Sequence, residues 1–176
     1  TRGCIFKVSK NNIDFEIIDF MTNDDYIAFY TIYKKIMNEF SKEYFNSIHP
    51  KIIKYEKIEN GKYWKLHMEY FGEIINHENL EYAKTWLNDT LKLWHSKGIV
   101  HGDILEETSH FEASTGRYKI NRNNILFNGN EYRLIDFDSR FDINKEMDLR
   151  TKNKSYKPKD DHEILFNSDD EDFLWQ

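Results

Sequence analysis

A chain of 176 residues, 39% hydrophobic and 32% charged, is long enough to bury one core and too short for tandem domains. Its 31 acidic residues against 25 basic ones give a formal charge of −6, the wrong electrostatic footprint for gripping phosphate backbones, so nucleic-acid binding is not expected. One cysteine, Cys4, excludes an internal disulfide and a zinc cluster built on several thiolates, and no apolar run approaches the roughly 20 residues of a membrane span.

Aromatic residues make up 16% of the chain, enough to fill a core and favour folding over disorder. Cys4 to Ser9 alternates as a strand does, and Ile13 to Phe20 reads as a second extended or short helical piece. Thr22 with Asp25 three residues later fits a capping box. Phe29, Ile32, Tyr33, Ile36, Met37 and Phe40 then recur at spacings of three and four, predicting a helix with one buried face. Beyond His49-Pro50, the runs Ile52 to Ile58 and Tyr63 to Tyr70 flank Asn60-Gly61, which predicts a hairpin with a two-residue turn.

Leu80, Ala83, Trp86, Leu87, Leu91 and Trp94 predict a helix from Leu80 to Lys97, with Gly98 where a left-handed cap belongs. Ile99-Val100 leads into His101-Gly102-Asp103. The polar stretch Leu105 to Ile120, without periodicity, reads as an inserted loop, and Asn124 to Asp136 reads as a second hairpin around Asn128-Gly129. The tail is basic from Arg150 to Lys159 and acidic from Asp160 to Asp172. It reads as a solvated surface, or its basic half as a dock for an acidic or phosphorylated partner.

The residues with chemical meaning are His101-Gly102-Asp103, Asn124-Ile125-Leu126 and Ile135-Asp136-Phe137-Asp138. Asn124 precedes the first strand of the second hairpin and Asp136 follows the second, so both emerge at its open end. An amide oxygen and a carboxylate are hard ligands of the kind Mg²⁺ takes, completed by phosphates and water. Asp103 adds a carboxylate able to accept a proton from an attacking hydroxyl. These are the parts of a phosphoryl-transfer site.

In these motifs the sequence resembles the protein-kinase-like superfamily. His101-Gly102-Asp103 matches the catalytic loop, Asn124 its metal-binding asparagine, and Asp136-Phe137-Asp138 stands in place of the DFG triplet. Met68-Glu69-Tyr70 resembles the end of the fifth strand and the hinge lining the adenine, and His49-Pro50-Lys51-Ile52-Ile53 the segment after helix αC. Ile5-Phe6-Lys7 resembles the third strand, which makes Lys7 the candidate for the α and β phosphates; otherwise it is an exposed lysine. Histidine in the catalytic loop is expected to be structural, and Met68 to be mainly packing.

The resemblance implies a truncated bilobal α+β fold. An antiparallel-sheet N-lobe would span residues 1–70 and a reduced helical C-lobe residues 71–176, with the insertion at 105–120 and a short tail. It implies ATP and Mg²⁺ as cofactors. The implied activity is that of a minimal atypical kinase acting on a hydroxyl, with Ser or Thr of a protein as acceptor, in the cytoplasm of its own or a host cell. His-Gly-Asp also occurs in small-molecule kinases of the aminoglycoside-phosphotransferase type, which are the alternative, together with a pseudokinase serving as a binding module.

Several features depart from the pattern. Only Thr1-Arg2-Gly3 precede the first strand, so no glycine-rich loop is seen, and Phe29 or Thr31 stands where a glutamate would pair with Lys7, leaving Glu39 or Glu16 as substitutes. The insertion separates Asp103 from Asn124. Leu105 replaces the catalytic-loop lysine, with Arg122 as its candidate substitute. The insertion itself is expected either to recognise the acceptor or to be a tolerated excursion.

Overall fold

A computed structural model of the protein describes residues 5–10, 14–107 and 118–138. The basic and acidic stretches of the tail, and positions 108–117 of the insertion, lie outside the described residues. The described chain is α+β, with small antiparallel sheets and three α-helices. No helix among the described residues is long and apolar enough to cross a membrane. The chain divides into two compact units, residues 1–73 with 126–135, and residues 74–125 with 136–176.

In the first unit, β1 (Ile5–Lys10), β2 (Asp14–Thr22), β3 (Ile52–Ile58) and β4 (Tyr63–Glu69) form an antiparallel sheet in the order β1-β2-β4-β3. The segment read as extended or helical is therefore a strand. Ile17 pairs with Met68, Asp19 with Leu66 and Met21 with Trp64, so alternate residues of both strands fall on one face. Ile17, Met21, Leu66 and Met68 are buried there, and α1 (Asn23–Glu39) packs against β2 and β4. Thr22 caps α1 as its sequence predicts, its hydroxyl accepting from the Asp25 N–H at 3.2 Å. Ala28, Phe29, Ile32 and Ile36 form the buried stripe.

A second helix, α2 (Lys42–Ile48), is not predicted by the periodicity; Ser41 caps it by accepting from the Tyr44 N–H at 3.0 Å. The first hairpin also differs from expectation. A two-residue turn at Asn60-Gly61 gives way to a 3₁₀ turn over Glu59–Gly61, in which Asn60 and Gly61 both have positive φ (55° and 86°). The dipeptide supplies the left-handed conformations that its composition suggests, within a longer connection.

On the other face of the sheet, His67 on the central strand β4 stands between two carboxylates. Its Nδ1 is 3.2 Å from Glu16 Oε2 on β2, and its Nε2 is 3.1 Å from Glu56 Oε2 on β3. Glu16, one of the two candidates for pairing with Lys7, stands opposite Val8 and Glu69 in the register, and its carboxylate meets His67. Glu16 thus belongs to the His67 cluster.

In the second unit, the two-residue strand β5 (Glu73–Ile74) runs into α3 (His77–Ser96), which starts three residues before the predicted Leu80 because Asn76 caps it. Gly98 takes the left-handed conformation expected of it, with φ +70°. The inserted segment is not a plain loop. Its ends form β6 (Leu105–Glu107) and β7 (Tyr118–Ile120), paired antiparallel with Leu105 opposite Ile120. A 3₁₀ turn over Arg122–Asn124 leads into β8 (Ile125–Phe127), and from residue 126 to 135 the chain belongs to the first unit, where β9 (Tyr132–Leu134) follows the predicted Asn128-Gly129 turn. The Asn128 side-chain oxygen accepts from the N–H groups of Asn130 and Glu131, which fixes that turn.

The hydrogen bond from His67 holds the Glu56 carboxyl below its ordinary value, against a smaller opposing effect of desolvation and with help from Lys65 and Lys54. A carboxyl depressed in the folded state contributes stability above its unfolded value and loses it as pH falls through the folded one. An NMR titration should therefore find Glu56 ionising below the usual carboxylate range in the parent and nearer to it in His67→Leu. Identical Glu56 titrations in the two proteins would remove His67 as the cause.

Candidate active site

The site is built in the second unit, starting from the end of α3. Trp94 is fully buried, the N–H of Ile99 donates to its carbonyl at 3.0 Å, and the chain turns at Gly98 into Ile99-Val100-His101. His101 is itself fully buried. Its ring lies parallel to Trp94 at 6.5 Å between centroids and edge-on to Phe137 at 5.4 Å, while Trp94 and Phe137 meet edge-on at 5.5 Å. Three aromatic rings thus form a closed cluster beneath the loop. The N–H of Asp103 donates to His101 Nδ1 at 3.1 Å, which places the ring proton on Nε2. His101 has the structural role expected of it: it shapes the turn that presents Asp103.

Gly102 joins the two loops. Its φ is +87°, and a Cβ there would stand 2.0 Å from the carbonyl oxygen of Asp138. The N–H of Asp138 donates to the His101 carbonyl at 2.8 Å. His101-Gly102 and Phe137-Asp138 are therefore paired backbone to backbone, at a separation only glycine permits. Asp136, two residues before this bond, has φ +61°. A non-glycine residue in the left-handed region is a strained conformation of the kind that concentrates at functional sites.

Asn124 is 5% exposed and ends the 3₁₀ turn. Its Nδ2 donates to the Asp103 carbonyl at 2.7 Å and to Asp103 Oδ2 at 3.1 Å. This fixes the orientation of the amide, since a flipped side chain would set oxygen against two oxygens. With Nδ2 committed to Asp103, Oδ1 is the end left for a cation. Among the described residues, no group of three or more His, Cys, Asp or Glu side chains is arranged to hold a metal. An amide oxygen such as Asn124 Oδ1 and a carboxylate such as that of Asp136 are the ligand types Mg²⁺ takes, its other ligands coming from phosphates and water.

The structure brings together Asp103 and Asn124, and it ties the Asp136-Phe137-Asp138 segment to the same loop. Arg122 turns elsewhere: its Nη1 donates to the Ile75 carbonyl at 3.1 Å, bracing the chain ahead of α3. The residue the sequence reading passed over is Asn121. Buried at 3% exposure, it donates through Nδ2 to the Asp103 carbonyl at 3.3 Å. Arg122, the candidate substitute for the catalytic-loop lysine, does not reach the loop; the amide one position earlier does.

The nucleotide candidates lie in the first unit. Lys7 occupies the middle of β1, opposite Ile17. Met68 is buried in β4 as the packing residue it was expected to be. The Glu69 N–H donates to the Lys51 carbonyl at 2.9 Å, and the Tyr70 hydroxyl donates to Glu73 Oε1 at 2.6 Å. In comparisons with known proteins, the chain matches no family model and no curated protein.

Gly102→Ala must adopt a left-handed conformation and move Asp138 away, so urea denaturation should show a loss of more than about 2 kcal/mol. A loss under about 0.5 kcal/mol, the level of an ordinary surface substitution, would mean that the two loops are not paired in this way.

Proposed function

We propose that the protein is a minimal, atypical kinase that transfers the γ-phosphoryl group of ATP to a hydroxyl, with Ser or Thr of a protein as the acceptor class. The observation that carries this reading is the double hydrogen bond from the Asn124 amide to Asp103. One side chain orients a carboxylate with its nitrogen and offers its oxygen to a cation.

In this reading Asp103 accepts a hydrogen bond from the attacking hydroxyl and takes up its proton as the phosphoryl group moves. Mg²⁺, when bound, would draw charge from the phosphate oxygens. Asn124 Oδ1 and the Asp136 carboxylate would hold that cation, and the left-handed backbone of Asp136 sets the direction from which its side chain leaves the chain. His101, clamped between Trp94 and Phe137, keeps Asp103 from swinging away, which is the positional control such reactions depend on. Lys7 for the phosphates and Met68, Glu69 and Tyr70 for the adenine complete the proposal from the sequence resemblance.

Incubation with labelled ATP and Mg²⁺, with and without cell extract, should yield labelled protein; label in small molecules alone would favour the small-molecule acceptor instead. Asp136→Ala should lose the thermal stabilisation that Mg²⁺ and ATP give the parent. Asp103→Asn should keep that stabilisation while its transfer rate falls roughly a hundredfold to ten-thousandfold. No transfer by the parent, or unchanged stabilisation of Asp136→Ala, would overturn the reading.

A further inference from the structure

Asp103 and Asn124 are separated in sequence by the β6–β7 ribbon, and the backbone pairing at its base brings their segments together. The group at the ribbon's base is Asn121. Its N–H donates to the Ile104 carbonyl at 2.7 Å, which extends the ladder one step past the Leu105–Ile120 pair. Its carbonyl accepts from the Asn124 N–H at 3.1 Å. Its Nδ2 reaches the Asp103 carbonyl, where the Asn124 amide also donates, so two side-chain amides bracket one oxygen.

The other half of the Asn121 amide stands alone among the described residues. Oδ1 is buried and has no hydrogen-bond partner among the described residues. A buried carbonyl without a partner costs stability, and such a cost in a native structure calls for a reason outside folding. Folding has little need of the donor half, because the Asp103 carbonyl already accepts a shorter bond from Asn124.

We infer that Asn121 is a positioning residue of the phosphoryl-transfer site: it holds the Asp103 segment in register with Asn124 across the ribbon, at a cost to stability. This rests on the kinase reading of the site. Asn121 touches neither nucleotide nor acceptor in this assignment; it acts through Asp103.

Asn121→Ala separates this role from a structural one. Positioning predicts a kcat lower by roughly tenfold to a hundredfold with KM for ATP nearly unchanged, because a misplaced group costs rate and spares binding. The melting temperature should stay level or rise, since the orphaned oxygen is gone. In an Asp103→Asn background the same substitution should cause almost no further loss, the non-additivity of residues acting as one unit. A lowered melting temperature with unchanged kcat, or an equal loss of kcat in both backgrounds, would overturn the inference. Asn121→Ser replaces Asn121→Ala if the latter does not fold. If the parent transfers no phosphate, the kinase reading fails separately, and hydrogen exchange decides the positioning claim. The Asp103 N–H and the Asn124 side-chain amide should exchange faster in the variant than in the parent; equal rates would refute it.

Discussion

The backbone pairing of His101-Gly102 with Asp138 is the constraint on which the candidate site depends. A carbonyl 2.0 Å from where a Cβ would sit leaves no room for a side chain at position 102, and the Asp138 N–H bond to His101 holds the two segments at that distance. Below them, Trp94 and His101 lie parallel and Phe137 stands edge-on to both, so the loops rest on a closely packed core. The backbone of Asp103 is held by His101 Nδ1, and the Asp103 carboxylate and the Asn124 amide fix each other. These contacts lead back to a ring fixed by packing.

The first unit is organised by a different principle. Its sheet buries Ile17, Met21, Leu66 and Met68 under α1, and on its opposite face His67 links the three strands β2, β4 and β3 through two carboxylates. Apolar packing holds one side and charge-assisted hydrogen bonding the other. Of the candidate hinge residues, Met68 and Glu69 end β4 and Tyr70 follows it, so the backbone of Glu69 is fixed by the ladder while its side chain stays exposed.

Where a local signal was strong, the sequence was readable. Thr22 announced the start of α1, Gly98 the end of α3, and Asn128-Gly129 the second hairpin, because each rests on side-chain or φ/ψ chemistry within a few residues. The helix α2 was missed because seven residues give too few turns for a period to show. The ribbon at 105–120 was read as a loop because strands of three residues are too short to alternate visibly, and only pairing across the insertion defines them. In the site, Asp103, Asn124 and Asp136 were legible as motifs. The bond that orients Asn124 was not, since its partner lies 21 residues away. Arg122 is the sequence's candidate substitute for the missing lysine, whereas burial and reach, which a sequence does not display, bring the Asn121 amide to the loop.

The closure of the ribbon at Ile104 and Asn121 also bears on how such a site can change over time. With the two ends of the excursion bonded to each other, the separation between Asp103 and Asn124 is decoupled from whatever chain is spliced in beyond Glu107 and Tyr118. Doubling the length of a flexible loop costs only about 0.6 kcal/mol once its ends are held. The ribbon is thus a graft point beside Asp103 and Asn124, where new sequence can be tried out without retuning the geometry it springs from.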